Sequence, residues 1–105
     1  SGRMPSFRAQ LNITGLRPGN VPEQVMEAAV AAVGSAHVVE ANQLDVVAGV
    51  PRITVRFTVD PNAYDAENRQ ALQAAANMRH AVEQVAITER LAVLRRSRGK
   101  WQALR

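Results

Sequence analysis

The sequence predicts an α+β domain in which one antiparallel sheet carries two helices on a single face. Three observations lead there. The stretches from Phe7 to Ile13 and from Ile53 to Val59 alternate apolar and polar side chains at the period of a half-buried strand. Two other stretches carry a single apolar stripe at helical spacing, as a helix covering one face of a sheet must. Between these elements fall runs rich in Gly, Pro, Asn and Asp, the residues that punctuate strands and helices.

Residues 1–6 read as a cloning remnant (Ser1, Gly2, Arg3) and a disordered start ahead of Met4, and residues 7–105 as a single domain. The first strand, "FRAQLNIT", points Phe7, Ala9, Leu11 and Ile13 one way and Arg8, Gln10, Asn12 and Thr14 the other. After the loop "GLRPGN", the segment "NVPEQVMEAAVAAVG" predicts a helix. Asn20 is expected to cap it, Pro22 to sit in its first turn, and Gly34 to stop it. Next come a strand, a turn around Ala48–Pro51, and a second strand in which Ile53, Val55, Phe57 and Val59 oppose Arg52, Thr54, Arg56 and Thr58. The first of this pair has no clean phase, because Val38/Val39 and Val46/Val47 are adjacent. That predicts an edge strand with a bulge.

A long helix follows, from about Ala63 to Val85. Its stripe is Leu72, Ala75, Met78, Val82 and Val85, and Asn62 is the expected cap. Beyond it, "AITERLAVLRRSRGKWQAL" fits either period locally. A helix running from residue 63 to 96 would be about 50 Å long at 1.5 Å per residue, too long for this domain. Gly99 in "SRGK" suits a tight hairpin turn. Strand, turn and short strand are therefore expected, with Leu91 and Val93 facing in and Arg90, Ala92 and Leu94 facing out. The resulting order, βαββαβ plus a short C-terminal hairpin strand, is that of the ferredoxin-like sandwich, whose first and third strands lie centrally.

Composition narrows the function classes. A chain of 105 residues with 47% hydrophobic and 21% charged residues is of ordinary globular make-up. It has no cysteine, which removes thiolate nucleophiles, disulfides and cysteine metal sites. No apolar run approaches the roughly 18 residues that cross a bilayer. A secretory leader is not expected and a cytoplasmic location is. The net charge of +4 is divided unevenly: residues 1–89 hold seven arginines against nine acids, a balance of −2, whereas residues 90–105 hold six bases and no acid.

If the apolar faces of both central strands lie under the helices, the open face presents Arg8, Gln10, Asn12, Thr14, Arg52, Thr54, Arg56 and Thr58. RNA-recognition domains share this element order and bind on this face, but through exposed rings. In this chain Phe57 is hidden, and neither central strand offers a ring. The tail offers one. Trp101, flanked by Arg90, Arg95, Arg96, Arg98 and Lys100, mixes a stacking ring with backbone-seeking charge. The same residues also suit a hairpin whose tip lies in water.

Catalytic chemistry is sparse. His37 and His80 are isolated, no His-x-x-x-His pair exists, and Asp60, Asp65 and Glu67 are explained as acids around a helix start. Arg17 and Gly19 precede the first helix as an anion-binding loop would, without the spacing of a phosphate loop or of acylphosphatases. No metal or cofactor is expected, and the balance leans away from an enzyme. The sequence points to a non-catalytic interaction or assembly module, a homodimer formed through its sheet face or an edge strand. The alternative is weak, salt-sensitive nucleic-acid binding through the basic hairpin and the open face.

Overall fold

The computed structural model describes residues 3–105. Strand β1 (Ser6–Leu16) leads to α1 (Glu23–Gly34), then to β2 (Val38–Val47) and β3 (Val50–Thr58). Helix α2 (Tyr64–Val82), β4 (Ala86–Ser97) and β5 (Lys100–Ala103) complete the chain. The five strands form one antiparallel sheet in the order β2-β3-β1-β4-β5, so β1 and β3 are interior and β2 is an edge. Of the six residues assigned to a disordered start, the first two lie outside the described residues. Ser6 begins β1, and the Pro5 carbonyl accepts the Val59 N–H at 3.3 Å.

Alternation in β1 and β3 sets the core. Phe7 stands opposite Phe57, Ala9 opposite Val55 and Leu11 opposite Ile53, and all six are buried. The two phenyl rings stack with centroids 6.0 Å apart. Val25, Ala29 and Val33 of α1 and Ala71, Ala74, Ala75, Met78 and Val82 of α2 close over this face. Alanines at the contact let the helices sit close to the sheet, and the small aliphatic composition serves that packing.

Several local expectations need correction. Leu72 is exposed, and the stripe runs through Ala71 and Ala74 instead, one residue away on the helical wheel. Neither Asn20 nor Asn62 caps a helix through its side chain. The Asn20 amide donates to the Arg17 and Pro18 carbonyls within the loop, while the Gln24 side chain accepts the Val21 N–H at 2.7 Å. Helix α2 ends at Val82 rather than Val85, since residues 83–85 form the turn that reverses the chain into β4.

In β4 the alternation is interrupted. Leu11 pairs with Leu91 but Asn12 with Glu89, which leaves Arg90 as the extra residue of a bulge at φ 55°. Leu91 and Val93 turn toward the helices, and Leu94 stands opposite Arg8 on the open face. A further register shift, in β2 between Val39 and Ala41, sets Glu40 apart as the bulge of that edge strand, while Val46 and Val47 stay in regular register. Among the described residues, no helix is long and apolar enough to cross a membrane.

Candidate functional site

Register alone maps the open face into rows that run across the strands. One row reads Asp45, Arg52, Asn12, Glu89, and the next Gln43, Thr54, Gln10, Ala92. The third reads Ala41, Arg56, Arg8, Leu94, Ala103, and the last brings Arg96 opposite Trp101. The face is polarised along the strands as a result. Its acidic side chains Asp45 and Glu89 gather at one end, and Arg8, Arg56 and Arg96 gather at the other. Thr14 is exposed beside the second irregularity of β1, where its hydroxyl donates to the Ile87 carbonyl at 3.3 Å. Thr54 and Thr58 are mostly buried, and Gln10 donates to the Thr54 hydroxyl at 3.4 Å. Arg52 faces Asp45 in register, yet its Nε is buried without a hydrogen-bond partner.

The basic end centres on Trp101. Because β5 adds to β4, the indole reaches the same face as the central strands and lies across them. The Arg8 guanidinium carbon is 4.0 Å from the ring centroid, with Arg56 at 5.3 Å and Arg96 at 5.4 Å. Such stacking places a cation on the negative face of the ring quadrupole. One carboxylate serves this group: Glu40 accepts from Arg56 Nε at 3.3 Å and from the Ser6 hydroxyl at 3.0 Å. Among the described residues, Arg8 and Arg96 form no ion pair.

Of the tail residues singled out from sequence, only Arg96 and Trp101 join this cluster. The pleat turns Arg95 to the opposite face, where its guanidinium donates to Glu67 at 2.8 Å and Asn68 at 2.9 Å and lies 4.2 Å from the Tyr64 ring centroid. Arg90 sits at the bulge, about 20 Å along the strand from Arg96 at 3.3 Å per residue. Arg98 forms the turn, and Lys100, opposite Ser97, falls on the helix side. Nor does the loop before α1 form a cradle. Arg17 Nε donates to the Glu83 carbonyl at 2.6 Å and its N–H to the Val85 carbonyl at 2.9 Å, tying that loop to the end of α2. Gly19 supplies a left-handed turn at φ 82°.

Glu67 is the residue whose role the sequence hid. It is 6% exposed, accepts the Asn62 N–H at 2.9 Å, and holds Arg95. The backbone hydrogen bond, aided by the neighbouring guanidinium, keeps its carboxyl below the usual carboxylate range despite the opposing effect of burial. His37 packs against the Phe57 ring at 5.8 Å, and His80 is exposed on α2.

The second surface of note is the outer edge of β2. Its backbone pairs with β3 on one side only, and Val38, Leu44, Val46 and Val47 are 58, 64, 69 and 43% exposed. On the helix side Leu44 also lines an apolar groove of about 360 Å³ with Leu16, Pro22, Met26 and Pro51. Comparison with family models, curated proteins and solved structures finds no match to this chain.

Proposed function

We propose that this chain is a ferredoxin-like, non-catalytic assembly module that forms a homodimer by pairing the β2 edges of two copies. The strand order, with β1 and β3 interior and both helices on one face, supports the ferredoxin-like reading. The β2 edge is the observation that carries the assembly reading. A ten-residue edge strand exposes a row of unpaired N–H and C=O groups, a template for another strand. Edges that must stay single are commonly blunted by Lys, Pro, a bulge or short length. This one is long, holds neither Lys nor Pro, carries its bulge at Glu40 near its start, and beyond it displays Leu44, Val46 and Val47 to solvent along a regular stretch.

The exposed aliphatic side chains decide between edge and face. Pressing two open faces together would take Arg8, Arg52, Arg56, Asp45 and Glu89 out of water, at a desolvation cost that only close pairing offsets. Edge pairing leaves those groups in solvent and buries aliphatic side chains, at about 25 cal/mol for each Å² covered.

Size-exclusion chromatography with light scattering tests this. The wild-type chain at micromolar concentration is expected at twice the monomer mass. The double variant Leu44→Lys and Val46→Lys, altered only at exposed positions, is expected at the monomer mass with an unchanged far-ultraviolet circular dichroism spectrum, its melting temperature lowered only by the loss of association. A wild-type chain that remains monomeric across that range overturns the reading.

A further inference from the structure

The basic end of the open face is built from three arginines and the one tryptophan of the chain, and assembly through β2 makes no use of it. We infer that this cluster is a single-stranded nucleic-acid site, in which a base stacks on Trp101 and the flanking phosphates engage Arg8, Arg56 and Arg96. The central strands lack exposed rings, and β5 supplies one to the same face from outside them.

Three features of the cluster carry this assignment. The ring is partly accessible: Trp101 is half-buried, with the Arg8 guanidinium stacked on the indole at 4.0 Å. The charge is unbalanced, since three guanidiniums lie within 5.4 Å of one ring centroid and Glu40 alone answers them. A polyanion relieves that imbalance, and guanidinium groups meet phosphate in the bidentate geometry that suits it. The combination, finally, is specific to one class of polyanion. An acidic peptide would satisfy the arginines and leave the indole without a purpose, whereas a base has a π-face for the ring and phosphates on either side. Duplex DNA keeps its bases stacked inside and offers the ring nothing.

The position also suits an extended ligand. The polar middle of the sheet, Gln10 and Gln43 beside Thr54, continues from the cluster along the strands and offers amide donors and acceptors to a second nucleotide. Arg95 takes no part, being committed to Glu67 on the opposite face.

Because Trp101 is the single tryptophan, its emission reports the site directly. A four-nucleotide oligo(dT), which carries three phosphates and is too short to bridge two copies, is expected to quench the emission of the wild-type protein at 50 mM salt. For three phosphate contacts on a single strand, affinity is expected to fall about 20-fold between 50 and 200 mM salt. Arg8→Gln, on the interior strand, and Arg96→Gln, at an exposed position, are expected to weaken binding at least several-fold each, Arg96→Gln with the melting temperature unchanged. With a fluorescently labelled oligonucleotide, Trp101→Leu is expected to lose about tenfold, the equivalent of one lost base stack. The Arg90→Gln variant, remote from the cluster, is expected to bind as the wild type does. Absence of quenching at 50 mM salt overturns the assignment. So does equal binding by Arg8→Gln and the wild type, or equal quenching by poly-glutamate, which would mark the cluster as a site for acidic protein.

Discussion

At the scale of single residues, Glu67 and Arg95 show how a pleat decides the fate of a charge. Side chains of Arg95 and Glu67 are 13 and 8% exposed, so neither ion can be satisfied by water. Removing one partner leaves the other charge buried, which typically costs about 3–5 kcal/mol, while replacing both by apolar groups is far milder. Glu67→Gln is expected to lower stability by about 3 kcal/mol in urea denaturation, and the pair Glu67→Leu with Arg95→Met to recover most of it. The pH dependence follows from the lowered carboxyl pKa. A carboxylate favoured in the folded state contributes its stabilisation above its unfolded pKa, and that stabilisation drains away as pH falls through the lower folded value. The wild type is therefore expected to lose stability through the acid range below about pH 4 more steeply than Glu67→Gln, a difference absent at neutral pH. Counting charges along the tail could not find this pair, because its members are 28 residues apart and only the three-dimensional register brings them together. The same pleat separates Arg95 from Arg96, which sequence places side by side.

At the scale of elements, both hairpins turn on two residues with positive φ. Ala48 and Gly49 lie at 52° and 80°, Arg98 and Gly99 at 51° and 76°. These are the values of the turn whose twist matches that of the flanking strands. Glycine at the second position was legible in both cases; the residue before it was not, since Ala and Arg pay roughly 1 kcal/mol to adopt left-handed backbone. Ala48→Asn is expected to raise stability by about 0.5–1 kcal/mol, read as a rise in urea midpoint with an unchanged slope, because Asn tolerates that conformation and leaves the strand pairing alone. No gain, or a loss, would mean the turn has another geometry. The elements legible in sequence were those with one wet and one dry face. β1 and β3 alternate because the helices cover one side of each, and β5 was marked by its glycine. The bulge at Arg90 left no such mark, for an inserted residue shifts phase without changing composition. The helix caps misled for a related reason: Asn20 and Asn62 have the right chemistry, but the loops that hold them spend it on their own backbone.

At the scale of the whole molecule, the two proposed surfaces lie apart on one sheet. β2 is one edge, and Trp101 arrives from β5 at the other before leaning over the central strands. Edge pairing about a two-fold axis would make a continuous ten-stranded sheet carrying two basic clusters on one face. Their β1 strands would be five strand spacings apart, about 24 Å at 4.8 Å each. Two sites fixed on one rigid sheet bind a ligand that spans both with an effective concentration in place of a second free encounter. The dimer is therefore expected to hold a forty-nucleotide oligo(dT) at least tenfold more tightly than the Leu44→Lys, Val46→Lys variant does, measured by anisotropy at 50 mM salt. A four-nucleotide oligo(dT), whose end-to-end reach of about 18 Å falls short of the second cluster, is expected to bind both proteins equally per chain. The two lengths separate the causes: equal ratios for the long and short ligands would mean that the clusters do not act together. A deficit of the variant toward the four-nucleotide ligand would mean that its new lysines, or a change in fold, had altered the single site.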